Sequence, residues 1–165
     1  VDGNVYCLNA DSGSLIWSYT TGNYVYSSPA VADGKVYVGS DDDKVYCLNA
    51  DNGDQIWSYT TATGYGVTSS PAVADGRVYV GSLDYNFYCL NADNGDQIWS
   101  YTTDYYVISS PAVADGRVYV GSHDNKVYCL NAVPQAPRNY TPYIVGGVLV
   151  IAVISIVLVL YMRRR

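Results

Sequence analysis

The chain has 165 residues and a formal net charge of −6, but its composition divides it unequally. Up to Ala132 it carries fifteen Asp and no Glu against five Lys or Arg, a net charge near −10. That balance argues against nucleic acid as a partner and fits a solvated exterior domain, or one that meets cations or basic surfaces.

Asp, unlike Glu, readily hydrogen-bonds its own backbone in turns, and the many Tyr and Val residues favour strands, so this part reads as all-β. The string Val-Tyr-Cys-Leu-Asn-Ala, once with Phe for Val, ends at Ala10, Ala50, Ala92 and Ala132, at spacings of 40, 42 and 40. Trp17, Trp57 and Trp99 keep step, as do Pro29, Pro71 and Pro111. A period near 40 with short alternating strands predicts β-propeller blades of four antiparallel strands.

In chain order, residues 1–26 read as a partial blade, 27–66 and 67–106 as whole blades, and 107–132 as a second partial blade. The predicted first strands are Ser27–Val31, Ser69–Val73 and Ser109–Val113; Pro fits there because an innermost strand has one free edge. Ala-Asp-Gly then predicts a tight hairpin into second strands at Lys35–Gly39, Arg77–Gly81 and Arg117–Gly121. The third strand carries Val-Tyr-Cys-Leu, and a turn of the Asn-Ala-Asp-Asn-Gly type leads to the fourth, Gln55–Thr60 in the second unit. Asp2 aligns with Asp42, Asp84 and Asp124, so the frame begins mid-blade and stops one strand short at Ala132. Two whole and two partial blades do not close a ring of about four to eight, so the chain is expected to be the C-terminal part of a longer one, with missing blades or another chain closing the ring.

These units resemble the quinoprotein-type propellers, also called pyrroloquinoline-quinone-like repeat proteins. The tryptophan-docking motif of that family, Ala-x-Asp-x-x-Thr-Gly-Lys-x-x-Trp, is matched by Cys47, Asn49, Asn52, Gly53, Asp54 and Trp57. The same frame holds Cys7, Asn9, Ser12, Gly13, Ser14 and Trp17, and again Cys89, Asn91, Asn94, Gly95, Asp96 and Trp99. Gly and Trp match throughout, whereas Ala has become Cys, Asp has become Asn, and Lys is lost. The resemblance implies that each Trp packs between blades against a small residue and the next motif's Gly, which suits a large indole. It also raises a quinone cofactor, since enzymes of the family carry a calcium site, a catalytic Asp and commonly a vicinal disulfide. No adjacent Cys pair is present here, and a fold does not confer an activity.

From Val133 onward Asp is absent. Residues 133–142 contain Pro134, Pro137 and Pro142 and read as a stiff stalk bearing a glycosylation sequon at Asn139. Ile144–Leu160 is apolar apart from one Ser, and 143–162 reaches the roughly 20 residues needed for a single transmembrane α-helix. Tyrosines at its ends suit the interfaces, and the basic tail Arg163–Arg165 places the C-terminus in the cytoplasm and the blades outside the cell.

The remaining candidates for chemistry are weak. Cys7, Cys47, Cys89 and Cys129 recur at one blade position, too far apart for the ~5.5 Å Cα separation of a disulfide, and read as small buried residues beside the Trp positions. Asp41-Asp42-Asp43 lacks the closing Glu of a calcium loop, and His123 has no repeated counterpart. No catalytic, metal or cofactor-binding residue is assigned, and the expected cofactor set is none.

One face of the blades is more informative. Its loops vary between units, at Gly22–Tyr26, Ala62–Thr68 and Asp104–Ile108, and at Asp41–Lys44, Leu83–Asn86 and His123–Lys126. The loops of the opposite face barely vary. The variable set carries Tyr24, Tyr26, Tyr65, Tyr85, Tyr105 and Tyr106, a candidate binding face for protein or polysaccharide. The sequence therefore leads to a non-enzymatic, membrane-anchored cell-surface scaffold, with a quinone-dependent dehydrogenase sited upstream, or a surface-layer structural protein, as alternatives. Because open blade faces and unpaired strands invite association, residues 1–132 expressed alone are expected to oligomerise or aggregate; a sharp, monomeric unfolding transition in sedimentation and calorimetry would refute this.

Overall fold

A computed structural model describes residues 2–132 together with two short strands further on. The chain forms two compact units, Val1–Val133 and Pro134–Arg165. The first is all-β. Strands β1 (Asn4–Leu8) and β2 (Leu15–Thr20) make a two-stranded sheet. Strands β3 (Ala30–Ala32), β4 (Lys35–Ser40), β5 (Lys44–Asn49) and β6 (Gln55–Thr60) make a four-stranded antiparallel meander. A second meander repeats it with β7 (Ala72–Ala74), β8 (Arg77–Gly81), β9 (Asn86–Asn91) and β10 (Gln97–Thr102). A three-stranded sheet follows: β11 (Ala112–Ala114), β12 (Arg117–Gly121) and β13 (Val127–Asn131). Short innermost strands β3, β7 and β11 neighbour one another, as blades around an axis require.

The hairpins form where the turn chemistry demands them. Asp33, Asp75 and Asp115 each have φ of 50°, followed by glycines at 68–70°, which is the left-handed pair that an Asp-Gly turn supplies. The innermost strands are shorter than the sequence indicates: β3 begins at Ala30 rather than Ser27, and β7 and β11 begin likewise after their prolines. Side chains replace the ladder there. Ser27 Oγ accepts the Gly39 N–H at 3.1 Å, and Ser109 Oγ accepts that of Gly121 at 2.7 Å.

The core lies between sheets. On β5, Val45 and Cys47 pack toward the next blade with Val78, Val80 and Leu90. The alternate residues, Tyr46 and Leu48, pack toward the preceding blade with Val5 and Trp17. Both faces are therefore buried, and Val45, Cys47 and Leu48 have no accessible surface. Period-two alternation sorts residues between two interfaces instead of between core and water.

Two of the three indoles reach the neighbouring blade. Trp17 Nε1 donates to Ala50 O at 2.9 Å and Trp57 Nε1 to Ala92 O at 3.1 Å, each reaching the next blade. Gly53 and Gly95 sit on those indoles so closely that an added Cβ would lie 2.7 Å from Trp17 and Trp57 respectively. Trp99 is half-buried, and the corresponding next turn lies outside the described residues. The four cysteines are not all buried, contrary to the sequence reading. Cys47 and Cys89 are buried opposite Trp57 and Trp99, but Cys7 is half-buried and Cys129 exposed, because among the described residues their sheets have two and three strands and leave that position less covered. All four are free thiols.

In the second unit, β14 (Tyr143–Val145) pairs antiparallel with β15 (Val148–Val150). These residues are strands where the sequence reading expects the start of a helix. Ile and Val favour extended backbone, and periodicity alone does not separate a short apolar strand from a helix. Among the described residues no helix is long and apolar enough to cross a membrane. The Pro-rich stalk, Asn139, the rest of the apolar stretch and the basic tail lie outside the described residues.

The docking contact makes a graded prediction. Gly13, with φ of 69°, has open space around it, so Gly13→Ala carries only the left-handed backbone cost of about 1–2 kcal/mol. Gly53→Ala adds a clash with Trp17 and is expected to cost about 1–3 kcal/mol more, read as a lower denaturant midpoint.

Candidate ligand-binding face

The variable loops are held by one device repeated in every unit. The carboxylates of Asp42, Asp84 and Asp124 each accept the hydroxyl of the Tyr four residues on, Tyr46, Tyr88 and Tyr128, at 2.6 Å. Asp2 and Tyr6 make the same pair at 2.7 Å. Each of the three also takes an N–H from the loop joining two blades: Gly22 at 2.6 Å, Ala62 at 3.1 Å and Asp104 at 3.2 Å. Burial, with the Asp84 carboxylate second, raises the Tyr88 phenol well above its ordinary value, so it stays a donor at physiological pH. The Asp-x-x-x-Tyr spacing is visible in all four units, and it was the signal that could have revealed this clamp.

A second residue type fixes the longest loop. Asp43, with φ of 71°, accepts N–H groups from Gly64 at 2.7 Å and from Tyr65 and Gly66 at 2.9 Å. Burial works to raise its pKa, but these three donors outweigh it and leave the carboxyl below its ordinary value. The position equivalent to Asp43 is Gly3, Tyr85 and Asn125 in the other units, and the carbonyls of Gly3, Asp43 and Tyr85 each accept from a buried Thr. Thr61, for example, donates both N–H and hydroxyl to Asp43 O at 2.8 and 3.0 Å. Asp43 and Asn125 are of types that tolerate left-handed backbone, but Tyr85 adopts φ of 72° at the same place.

Four of the six predicted tyrosines come together. Tyr85 stacks on Tyr105 with centroids 5.5 Å apart and planes 18° from parallel. Tyr106 lies 5.3 Å from Tyr85 and 4.4 Å from Tyr105, tilted 57° and 51°. Tyr65 meets the Tyr85 ring edge-on at 6.5 Å. Tyr65 and Tyr105 are 44% and 43% exposed, so the cluster is open to a partner. Tyr24 and Tyr26 instead form a separate pair at 6.1 Å. Beside Tyr65 runs a groove of about 560 Å³ lined also by Asn23, Asp41, Asp42, Asp43 and Leu83. His123 is exposed, and its backbone N–H donates to Tyr106 O at 2.9 Å. Among the described residues no three His, Cys, Asp or Glu side chains converge as a metal-binding group.

The family described as outer membrane protein assembly factor BamB matches residues 1–71 and 45–134. The chain belongs to this family. Its blades superpose on BamB from Moraxella catarrhalis with a TM-score of 0.71 and 18% identity, over 79% of this chain and 44% of that one. They also superpose on the quinohemoprotein alcohol dehydrogenase ADHIIG from Pseudomonas putida HK5, with a TM-score of 0.66 and 21% identity, over 80% of this chain and 31% of that one. A segment of 36 residues is 50% identical to the beta-alanine-activating enzyme of Danio rerio, covering 22% of this chain and 3% of that protein. The chain thus spans less than half the length of these relatives. The BamB-family assignment and both superpositions establish the pyrroloquinoline-quinone-like propeller repeat as the fold.

The Asp43 clamp makes a pH prediction. A carboxylate whose folded pKa is lowered stabilises the loop fully above its unfolded value near ~3.9, and that contribution is lost as pH falls through the lower folded value. Exchange protection of the Gly64, Tyr65 and Gly66 amides is therefore expected to persist down to about pH 4 and to fall below it. Asp43→Asn keeps the left-handed preference but not the charge, and should lower that protection at neutral pH by about 1–2 kcal/mol in hydrogen-exchange measurements.

Proposed function

We propose that this protein is a non-enzymatic, membrane-tethered cell-surface scaffold that binds protein or polysaccharide through its variable loop face. The convergence of Tyr65, Tyr85, Tyr105 and Tyr106 from loops of successive blades carries this reading. Surface aromatics gathered on rigid, clamped loops offer contact area at low entropic cost. Family membership agrees, since the family takes its description from an assembly factor.

The tether rests on hydropathy rather than on local conformation. Ile144–Leu160 has no charged residue and is followed by Arg163–Arg165, which supports a single span with the blades outside and the C-terminus inside. A quinone-dependent dehydrogenase remains the second reading, favoured by the blade likeness to ADHIIG; reconstitution with quinone and Ca²⁺ and assay of dye-linked alcohol oxidation separates the two.

Two measurements test the scaffold. Replacing Tyr24, Tyr65 and Tyr105 together by Ser is expected to reduce binding to the cell's own surface material by at least about tenfold, and unchanged binding would remove the loop face from consideration. Deleting residues 143–165 should move the protein from the membrane fraction to the soluble fraction, and persistence in the membrane would refute the tether.

A further inference from the structure

We propose that the four-tyrosine cluster is a receptor for Lys or Arg side chains of a basic polypeptide, an inference that rests on the loop face being the contact surface. Three observations lead there. The first is the strain at Tyr85, which places an aromatic ring at a left-handed position that Asp43 and Asn125 occupy in the neighbouring units. That ring touches Tyr65, Tyr105 and Tyr106, so the cluster exists only because the chain departs from its own repeat at this point.

The second is the shape of the cluster. Tyr65 and Tyr106 stand tilted from the Tyr85 ring by 62° and 57°, and Tyr106 from the Tyr105 ring by 51°. Rings packed at such angles turn their outer faces in several directions, and a compact cation needs only one such π-face to bind. A sugar ring stacks best on a single flat, open aromatic face, and here one face each of Tyr85 and Tyr105 is used against the other.

The third is charge. The groove beside Tyr65 is lined by Asp41, Asp42 and Asp43, and Asp104 sits on the loop that carries Tyr105 and Tyr106. The cations on this face are Lys44 and Lys126, and Lys126 is already engaged by Asp104 and Asp124. With fifteen Asp against five Lys or Arg up to Ala132, the field attracts a basic segment and orients it toward the aromatic faces. The partner is thus an extended, positively charged stretch of protein, with one side chain on the outer faces of the tyrosines and its neighbours over the acidic groove beside Tyr65.

The test uses the full chain in detergent micelles, titrated with a fluorescent hexa-arginine peptide, a neutral Gly-Ser peptide of equal length and a neutral hexasaccharide. Hexa-arginine is expected to bind, more weakly as salt rises from 20 to 200 mM. Tyr85→Asn, which restores a residue suited to the backbone, should leave the melting temperature unchanged or higher while weakening hexa-arginine by on the order of tenfold. Tyr101→Ser, an exposed tyrosine on β10, should not weaken it. Equal weakening by Tyr101→Ser, or none by Tyr85→Asn, would mean generic attraction to an acidic protein and would overturn the inference. Hexasaccharide binding that depends on Tyr85 would overturn it too, but would leave the loop face standing as a contact surface. If neither probe's binding changes in Tyr85→Asn or in the triple Tyr24, Tyr65, Tyr105 variant, both the inference and the loop-face reading fall.

Discussion

The structure depends on a single contact between neighbouring blades: an indole laid under a glycine and hydrogen-bonded to the alanine carbonyl of the next turn. At Ala92 that carbonyl accepts Trp57 Nε1, the Tyr37 hydroxyl and Lys35 Nζ, all from the preceding blade. The ion pair of Lys35 with Asp93 joins the same two blades but is exposed on the Asp side, so it adds little beside the buried indole. The middle strands β4, β5, β8 and β9 are buried on both faces, each against a neighbouring sheet. The indole is buried at this turn, and the glycine lets the next blade's backbone approach it within the space a Cβ would fill.

From that contact the loop face follows. Docking at the Gly-bearing turns fixes adjacent blades in register, and the opposite ends of the strands are thereby brought side by side. Asp42, Asp84 and Asp124 then tie each interblade loop to the hairpin of the next blade. Gly39 and Gly81 reinforce the alignment, because Val67 O and Val107 O pass where their Cβ atoms would stand. The aromatic cluster is thus a consequence of blade spacing plus one substitution, Tyr85, at a position the repeat otherwise keeps small or polar.

Much of this was legible in the residues. The period, the Asp-Gly hairpins and the Gly–Trp frame each encode a local geometry, and each appears where the spacing puts it. The innermost strands were overdrawn because a Ser hydroxyl can stand in for a ladder partner, which alternation does not reveal. The Asp–Tyr clamp went unread although Asp2 and Tyr6 repeat it in the opening unit, since an Asp in a turn already has an adequate local explanation. Which tyrosines would meet was hidden for another reason: Tyr24 and Tyr26 share one interblade loop, whereas the cluster is joined by Tyr85 from a left-handed hairpin position that composition does not reveal. The strands at Tyr143–Val145 and Val148–Val150 show the limit of hydropathy, which ranks solubility in an apolar medium and says nothing of backbone shape.

The recurring cysteine turns the repeat into its own ruler. Four chemically identical thiols occupy one structural address, and they differ only in cover: Cys47 and Cys89 are sealed and pushed up to about 11 by burial, whereas Cys129 is open and Cys7 half open. Alkylation of the outer pair would report on occupancy of the flanking sheets, and alkylation of the inner pair on breathing at a specific blade interface. The chain thus carries, without any engineering, a set of equivalent probes that reads its cohesion one seam at a time.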